Sequence, residues 1–213
     1  TPTNTPTPTN TPTKTATATD GLGNVGTGSV TVKLDKTPPT ISGSRSPAAG
    51  NANGWNNTDV TVTFACADVL SGLAPSCPAP TTLASSSAAA QSVTGSVGDN
   101  AGNSASTTVG NIKIDKVAPT LSGAPTTSPA AGWDKGNVTV AWTAGDAHSG
   151  IAAPPADSTI TGEGLGLTAS TSVTDRAGNT TTATSTPAVN IDRTAPNTVA
   201  TAPPAWNNMD VTV

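Results

Sequence analysis

The residues in this sequence best suited to chemistry are aspartates. The chain has 13 acidic residues, and Glu163 is the only one that is not Asp. Most of them fall in predicted loops or at predicted strand ends. Short carboxylates there, with Asn side chains and backbone carbonyls nearby, are the hard oxygen ligands that Ca²⁺ prefers. The candidate calcium ligands are Asp99, Asp115, Asp175 and Asp192.

Aspartate also has a purely structural use, because its carboxylate accepts hydrogen bonds from nearby backbone N–H groups and so forms turns. The loop pattern of an EF-hand does not occur in the sequence. An Asp-x-Ala-Gly-Asn segment is also typical of a hairpin loop with Gly at positive φ. We therefore favour turn formation over metal binding, with calcium as the alternative.

Cys66 and Cys77 are the only cysteines. Cys66 ends the buried face of a predicted strand, and Cys77 follows a short loop. The matching stretch further along the chain has Ala144 and no second Cys, so the two thiols occur together and are absent together. This pattern predicts a local disulfide, which fits an oxidising compartment. Two free buried thiols are the alternative, and a metal site is disfavoured because His148 is the only histidine.

Catalysis has little support in the sequence. His148 is replaced by Leu70 at the matching position, and no Gly-x-Ser-x-Gly segment is present. No pair of Glu residues is available for acid–base work. We therefore expect that the protein is not an enzyme.

The elements that must position these residues recur along the chain. Asp35, Asp115 and Asp192 lie 80 and 77 residues apart, and each follows a strand-like run. A fixed period of this kind indicates a repeat architecture. The predicted segments are a Thr/Pro-rich linker at 1–19, a terminal hairpin at 20–35, domains at 36–115 and 116–192, and the first half of a further unit at 193–213.

The core is predicted from alternation with a period of two, which places every second side chain on the buried face of a strand. Trp55 and Trp133 each precede the first long strand of a unit. A core position there is favoured over a sugar-stacking surface. The predicted core residues are Trp55, Val60, Val62 and Phe64 in the first unit, and Trp133, Val138, Val140 and Trp142 in the second.

Composition excludes several classes of function. The net charge of −4 is small and dispersed, and no basic cluster follows a phosphate backbone, so nucleic acid is not an expected partner. No stretch approaches the roughly 18 apolar residues of a membrane span.

The Thr/Pro alternation of the linker predicts an extended chain and candidate O-glycosylation sites at Thr3, Thr5, Thr7 and Thr9.

Four spaced motifs occur in order between residues 20 and 213, and each returns in the same or a variant form: Trp-Asn-x-x-Asp-Val-Thr-Val, Cys-x-Asp-x-x-Ser-Gly, Asp-x-Ala-Gly-Asn and Ile-Asp-Lys-x-x-Pro-Thr. In these motifs the chain resembles tandem bacterial Ig-like repeats of secreted and cell-surface proteins. The resemblance implies an all-β fold of Greek-key β-sandwiches, with Asp-x-Ala-Gly-Asn between the last two strands. It also implies calcium at loop ends and domain junctions.

The expected function is therefore that of an extracellular structural protein: a stalk, a surface fibre or filament, or an adhesin shaft. Its expected partners are neighbouring repeats or copies of the same chain. Two alternatives stay open: a carbohydrate- or partner-binding module, whose surface or glycan ligand the sequence does not identify, and an accessory segment of a large secreted enzyme.

The two partial units also allow two interpretations. The chain is either a window from a longer array, which we favour, or its C-terminal half-unit is completed by the N-terminal hairpin of another copy through strand addition.

Overall fold

The computed structural model describes residues 13–199, and every regular element in this range is a β-strand. Thr and Val are abundant there, and β-branched side chains fit a pleated sheet well. The strands are β1 (Thr13–Thr19), β2 (Val25–Thr31), β3 (Thr40–Ser46), β4 (Trp55–Asn56), β5 (Val60–Ala67), β6 (Thr81–Leu83), β7 (Gln91–Gly98), β8 (Ser104–Ile114), β9 (Thr120–Pro125), β10 (Val138–Gly145), β11 (Ser158–Ile160), β12 (Gly164–Leu167), β13 (Ser170–Thr174), β14 (Thr180–Thr184) and β15 (Val189–Ile191). Among these residues there is no helix of the length and apolarity that would cross a membrane.

The first of two compact units contains the described chain up to Pro119 together with residues 146–152 and 174–179. Its sheets have the strand orders β1–β2, β3–β5–β6 and β4–β8–β7. Val60, Val62 and Phe64 of β5 form one core cluster with two isoleucines of β8. Because β5 and β8 belong to different sheets, the two three-stranded sheets face each other across this core, as in a β-sandwich.

The second unit contains residues 120–145, 153–173 and the described chain from Thr180. Its sheets have the strand orders β11–β10–β9, β12–β15 and β13–β14. The alternation in β10 matches that in β5. The core cluster consists of Val138, Val140, Trp142, Ile160, Val189 and Ile191. This core also joins two sheets, because β10 and β15 belong to different ones.

The predicted linker ends earlier than expected. Residues 13–19 form β1, which pairs antiparallel with β2 from Thr13 opposite Thr31 to Thr19 opposite Val25. The Thr-Lys-Thr-Ala-Thr-Ala-Thr sequence of β1 follows the last proline of the tract, so each residue has a backbone N–H for the ladder. The four candidate glycosylation sites lie outside the described residues.

The prediction that Trp133 lies in the core is wrong, since this residue is 43% exposed whereas Trp55 is 7% exposed. In the first unit, the Nζ of Lys113 lies 5.6 Å from the centre of the Trp55 ring, so the lysine side chain covers it. In the second unit, Asn190 takes the place of Lys113 beside Trp133. Its short amide cannot cover an indole ring in the same way. The other seven predicted core residues are buried.

Glycines make room for the one large ring in each core. A Cβ atom added to Gly123 on β9 would lie 2.5 Å from two ring carbons of Trp142. Because overpacking a rigid ring destabilises a core, we expect Gly123→Ala to lower the free energy of unfolding by about 1–3 kcal/mol in a urea titration. Gly136→Ala is the matched control, because a Cβ there meets nothing within 4 Å. Equal stability of the two variants would contradict this account of the core.

Candidate functional site

The buried carboxylate of Asp115 is the centre of a hydrogen-bond network in the first unit. Asp115 directly follows β8 and is fully buried. Its Oδ1 accepts a hydrogen bond from the backbone N–H of Val117 at 3.0 Å. Its Oδ2 accepts one from the backbone N–H of Ser149 at 3.1 Å. The side chain therefore ties the segment that follows β8 to a loop more than thirty residues further along the chain.

The loop that carries Ser149 is shaped by its own aspartate. Oδ1 of Asp146 accepts hydrogen bonds from the backbone N–H groups of His148 at 3.1 Å and Gly150 at 2.7 Å. Gly150 has φ of +76°, a conformation that favours glycine. Asp146 thus binds the backbone of His148 rather than its ring, and it acts as a turn former.

The hairpin loop 175–179 supplies the third part of the network. Oδ1 of Asp175 accepts from the backbone N–H groups of Gly178 at 2.7 Å and Asn179 at 2.9 Å. The Asn179 side-chain amide donates to Oδ2 of Asp175 at 2.7 Å and to the backbone carbonyls of Asp115 at 3.0 Å and Val117 at 3.3 Å. This hairpin therefore binds the backbone of the segment that directly follows β8, at Asp115 and at Val117.

A network of the same design surrounds Asp35, 80 residues earlier. Asp35 accepts from the backbone N–H groups of Thr37 at 2.8 Å and Ser71 at 3.1 Å. The corresponding loop and hairpin aspartates are Asp68 and Asp99, and they accept from their own backbones in the same way. The Asn103 amide donates to the carbonyl of Asp35 at 3.3 Å. Three bonds recur at equivalent positions: the connecting Asp accepts from the residue two positions later and from the loop Ser, and the hairpin Asn donates to its carbonyl. The spacing of these residues therefore specifies one structural device.

Two other aspartates, Asp20 and Asp192, each form one part of this network at an exposed position. Oδ1 of Asp20 accepts from the backbone N–H groups of Leu22 and Asn24, both at 2.9 Å, so the Asp-x-x-Gly-Asn hairpin loop is formed there as well. Asp192 accepts from the backbone N–H of Thr194 at 2.9 Å, as Asp115 does from Val117.

The electrostatics of the networks favour ionised carboxylates. Burial raises the pKa of Asp115, but the hydrogen bonds from Ser149 and Val117 outweigh it and hold the pKa below its ordinary value. The pKa of Asp99 is lowered in the same way, with desolvation opposed by hydrogen bonds from Asn103 and Ala101. The Nδ1 of His148 lies 3.6 Å from Oδ1 of Asp115. The networks are therefore charge-assisted at neutral pH.

The structure separates the four predicted calcium ligands. Asp115 lies with Asp146 and His148, with ligand atoms within 4.8 Å of one another, and Asp99 lies in a corresponding group with Asp35 and Asp68. Asp175 and Asp192 belong to neither group among residues 13–199. Both oxygens of Asp175, and both of Asp99, already accept hydrogen bonds from N–H donors. Carboxylates whose oxygens are already paired with N–H groups fit turn formation better than a calcium shell of six to eight oxygens.

Calcium should therefore have little effect on stability. A ligand that binds the native state raises its melting temperature. We expect the melting temperature in EDTA and in millimolar CaCl₂ to agree within about 1 °C, which is less than the 4–8 °C that 1 kcal/mol of binding energy would give a small domain. Differential scanning calorimetry measures this directly. A larger upward shift in CaCl₂ would restore the calcium interpretation.

Cys66 and Cys77 form the predicted disulfide, with their Cα atoms 5.5 Å apart. The bridge closes the loop that contains Asp68 and Ser71, and therefore one part of the Asp35 network. The loop of the Asp115 network has no such disulfide. Both loops form an isolated β-bridge with the hairpin aspartate of their network, Leu73 with Asp99 and Ile151 with Asp175.

Sequence reasoning missed the roles of Ser71 and Ser149, because both act through backbone N–H groups. It also missed that the Asn at the end of each Asp-x-x-Gly-Asn loop binds the backbone around Asp35 or Asp115. The signal available was that in both repeats Ser-Gly follows the loop Asp, and Gly-Asn follows the hairpin Asp, at the same distance. Neither a protein-family model nor a curated protein sequence matches this chain.

Proposed function

We propose that this chain is a non-enzymatic structural protein that acts as a spacer outside the cell, in a stalk, surface fibre or adhesin shaft built from tandem Ig-like Greek-key sandwiches. The observation that carries this proposal is the recurrence of one hydrogen-bond network at Asp35 and at Asp115. A spacer needs each connection between repeats to have one defined geometry, and a network repeated at each connection supplies it.

The connecting segment itself is short and restrained. Asp115 binds one loop through its carboxylate, while Asn179 holds its backbone carbonyl. Pro119 follows four residues later and fixes its own φ. Few backbone torsions between Asp115 and Pro119 are therefore free to vary, which is the kind of restraint that a spacer needs after each repeat.

The location outside the cell rests on the disulfide, because such bonds persist in oxidising compartments and are rare in the cytosol. Several of the remaining charged residues make contacts that stabilise the fold. Asp59, for example, forms an ion pair of 2.6 Å with Lys116. In this proposal the function of the repeats is to hold the parts that they join at a distance.

Spin labels test the proposal. Thr63 on β5 and Thr143 on β10 are exposed positions in the two compact units, and labels attached there through introduced cysteines report the distance between the units. We expect one narrow distance distribution from double electron–electron resonance, and a clearly broader one in the Asp115→Ala variant.

A label pair at Thr63 and Thr94, both within the first unit, is the matched control and should stay narrow in both proteins. A broad distribution for the Thr63–Thr143 pair in the unaltered protein would overturn the spacer proposal.

A further inference from the structure

Trp133 presents an uncovered indole ring on the surface of the second unit. The ring is 43% exposed, whereas its counterpart Trp55 lies beneath the side chain of Lys113 and is 7% exposed. Asn190 stands in the second unit where Lys113 stands in the first. The exposure of Trp133 therefore follows from a residue of its own unit, and the face of the ring can contact a ligand.

The backbone on both sides of Trp133 is fixed by Asn190. The backbone N–H of Asp134 donates to the carbonyl of Asn190 at 2.9 Å, and the Asn190 side-chain amide donates to the carbonyl of Gly132 at 3.1 Å. Gly132 has φ of +76°, and its N–H donates to the carbonyl of Pro129 at 2.8 Å. The turn that carries the ring is therefore held in one conformation, which lowers the entropy cost of binding a ligand.

A second exposed apolar residue is tied to the same asparagine. Oδ1 of Asn190 accepts a hydrogen bond from the backbone N–H of Gly166 on β12 at 2.9 Å. Leu165, the residue before Gly166, is 71% exposed. The Asn190 side chain thus holds the backbone next to Trp133 and the backbone next to Leu165 together. We call these two exposed residues, Trp133 and Leu165, the Trp133 platform.

The charged residues that follow the ring carry no net charge. Asp134 is half-buried and Lys135 is exposed, and they offer one hydrogen-bond acceptor group and one donor group. Opposite charges at adjacent positions give no preference for a cationic or an anionic ligand. An uncharged ligand with hydroxyl groups at its edge suits this combination.

The size of the platform favours a sugar over a protein partner. A Trp side chain buries at most about 250 Å², far less than the roughly 800 Å² that each partner contributes to a standard protein interface. A pyranose ring is close to an indole in size. The face of the indole is electron-rich and attracts the partly positive hydrogens of C–H groups. One pyranose ring therefore matches the area and the electrostatics of the exposed indole.

We propose that the Trp133 platform binds one ring of a neutral, β-linked glycan, whose C–H face stacks on the indole. In a β-1,4-linked glucan the hydroxyl groups are equatorial, so each ring presents a face that carries only C–H groups. A site with a single stacking ring should bind weakly, with a Kd of about 1–10 mM. The inference does not depend on the spacer role, which the spin-label distances decide separately.

Titration of the isotope-labelled chain with cellohexaose, followed by NMR, tests the site directly. The chain has four tryptophans, and each has one indole N–H. We expect the Trp133 indole signal to shift along a saturable curve. The signals of Trp55 and Trp142 should not move, because both rings are buried and the Trp142 indole N–H already donates to Ser158 at 2.9 Å. Trp133→Phe identifies the Trp133 signal by its loss.

Substitutions of Trp133 separate stacking from a general effect of the sugar. Saturation transfer to cellohexaose should fall about tenfold in Trp133→Ala and stay within about threefold in Trp133→Phe, which keeps an aromatic face. The backbone amide signals of β10 check that each variant is folded. Glycerol is the control ligand, since it has hydroxyl groups but no ring.

Several outcomes would overturn the proposal. One is the absence of a Trp133 shift at about 20 mM cellohexaose, a concentration above the expected Kd. Others are equal shifts of the Trp55 and Trp142 signals, an equal shift in glycerol, and unchanged saturation transfer in Trp133→Ala. Each of these results would show that the exposed indole does not bind the glycan.

Discussion

Replacing Asp115 with Ala should lower the free energy of unfolding by about 2–4 kcal/mol, the largest effect expected of any exchange of a single carboxylate in this chain. The substitution leaves the backbone N–H of Ser149 without its acceptor, and Ser149 is only 4% exposed. An unsatisfied buried donor costs about 1–3 kcal/mol, and a lost bond to a charged group adds to this cost. Urea denaturation followed by tryptophan fluorescence measures the loss.

Asp192→Ala is the control for this experiment. Asp192 makes the same turn bond, to the N–H of Thr194, but it is exposed to solvent. Its loss should cost less than about 0.5 kcal/mol. If both variants lose the same stability, the Asp115 network does not have the role assigned to it.

The same carboxylate should make stability depend on pH. The pKa of Asp115 in the folded protein lies below its ordinary value, because hydrogen bonds from Ser149 and Val117 outweigh the opposing effect of burial. The unfolded value is about 3.9. The contribution of Asp115 is therefore fully present above that pH and is lost as the pH falls through the lower, folded value. Asp115→Asn should show a flatter decline of stability below about pH 4 than the unaltered protein.

Removing the disulfide should have the second largest effect. Cys66 and Cys77 are separated by 11 positions, and opening a loop of this size releases conformational entropy to the unfolded chain. We expect the double variant Cys66→Ala, Cys77→Ala to lose about 2–3 kcal/mol in the first unit. The second unit, with Ala144 in place of Cys66, serves as an internal reference.

Hydrogen exchange monitored by mass spectrometry resolves the two units in that experiment. Peptides from β5 and β8 should exchange faster in the double variant, while peptides from β10 and β15 should not change. Equal acceleration in both units would contradict a local role for the disulfide.

The strands could be predicted from the sequence because side chains along a strand are buried and exposed in alternation. The alternation through Val60, Val62 and Phe64 returns at Val138, Val140 and Trp142, and the structure buries all six. The disulfide was predictable for a similar reason, since its two cysteines occur together in one repeat and are absent together in the other. These features depend on side-chain identities, which the sequence displays directly.

The remaining features depend on partners that side-chain identity does not reveal. Trp55 and Trp133 occupy equivalent positions, yet one is covered by Lys113 and the other stands beside Asn190. The environment of each ring depends on a residue nearly sixty positions away. Ser149 contributes a backbone N–H, which every residue except Pro possesses. Its residue type therefore could not predict the bond to Asp115.

Amide hydrogen exchange at Ser149 and Ser71, followed by NMR in the presence of EDTA, tests most directly whether the Asp-centred networks are formed without an ion. The N–H of Ser149 donates to the carboxylate of Asp115, while the N–H of Ser71 is shared between the carboxylates of Asp35 at 3.1 Å and Asp68 at 2.9 Å. We expect both amides to exchange about 100-fold more slowly than the amide of Thr194, whose acceptor is exposed. Asp115→Ala should remove the protection of Ser149 and leave that of Ser71 intact. Rapid exchange of both amides in EDTA, or protection that appears only when calcium is added, would contradict the account.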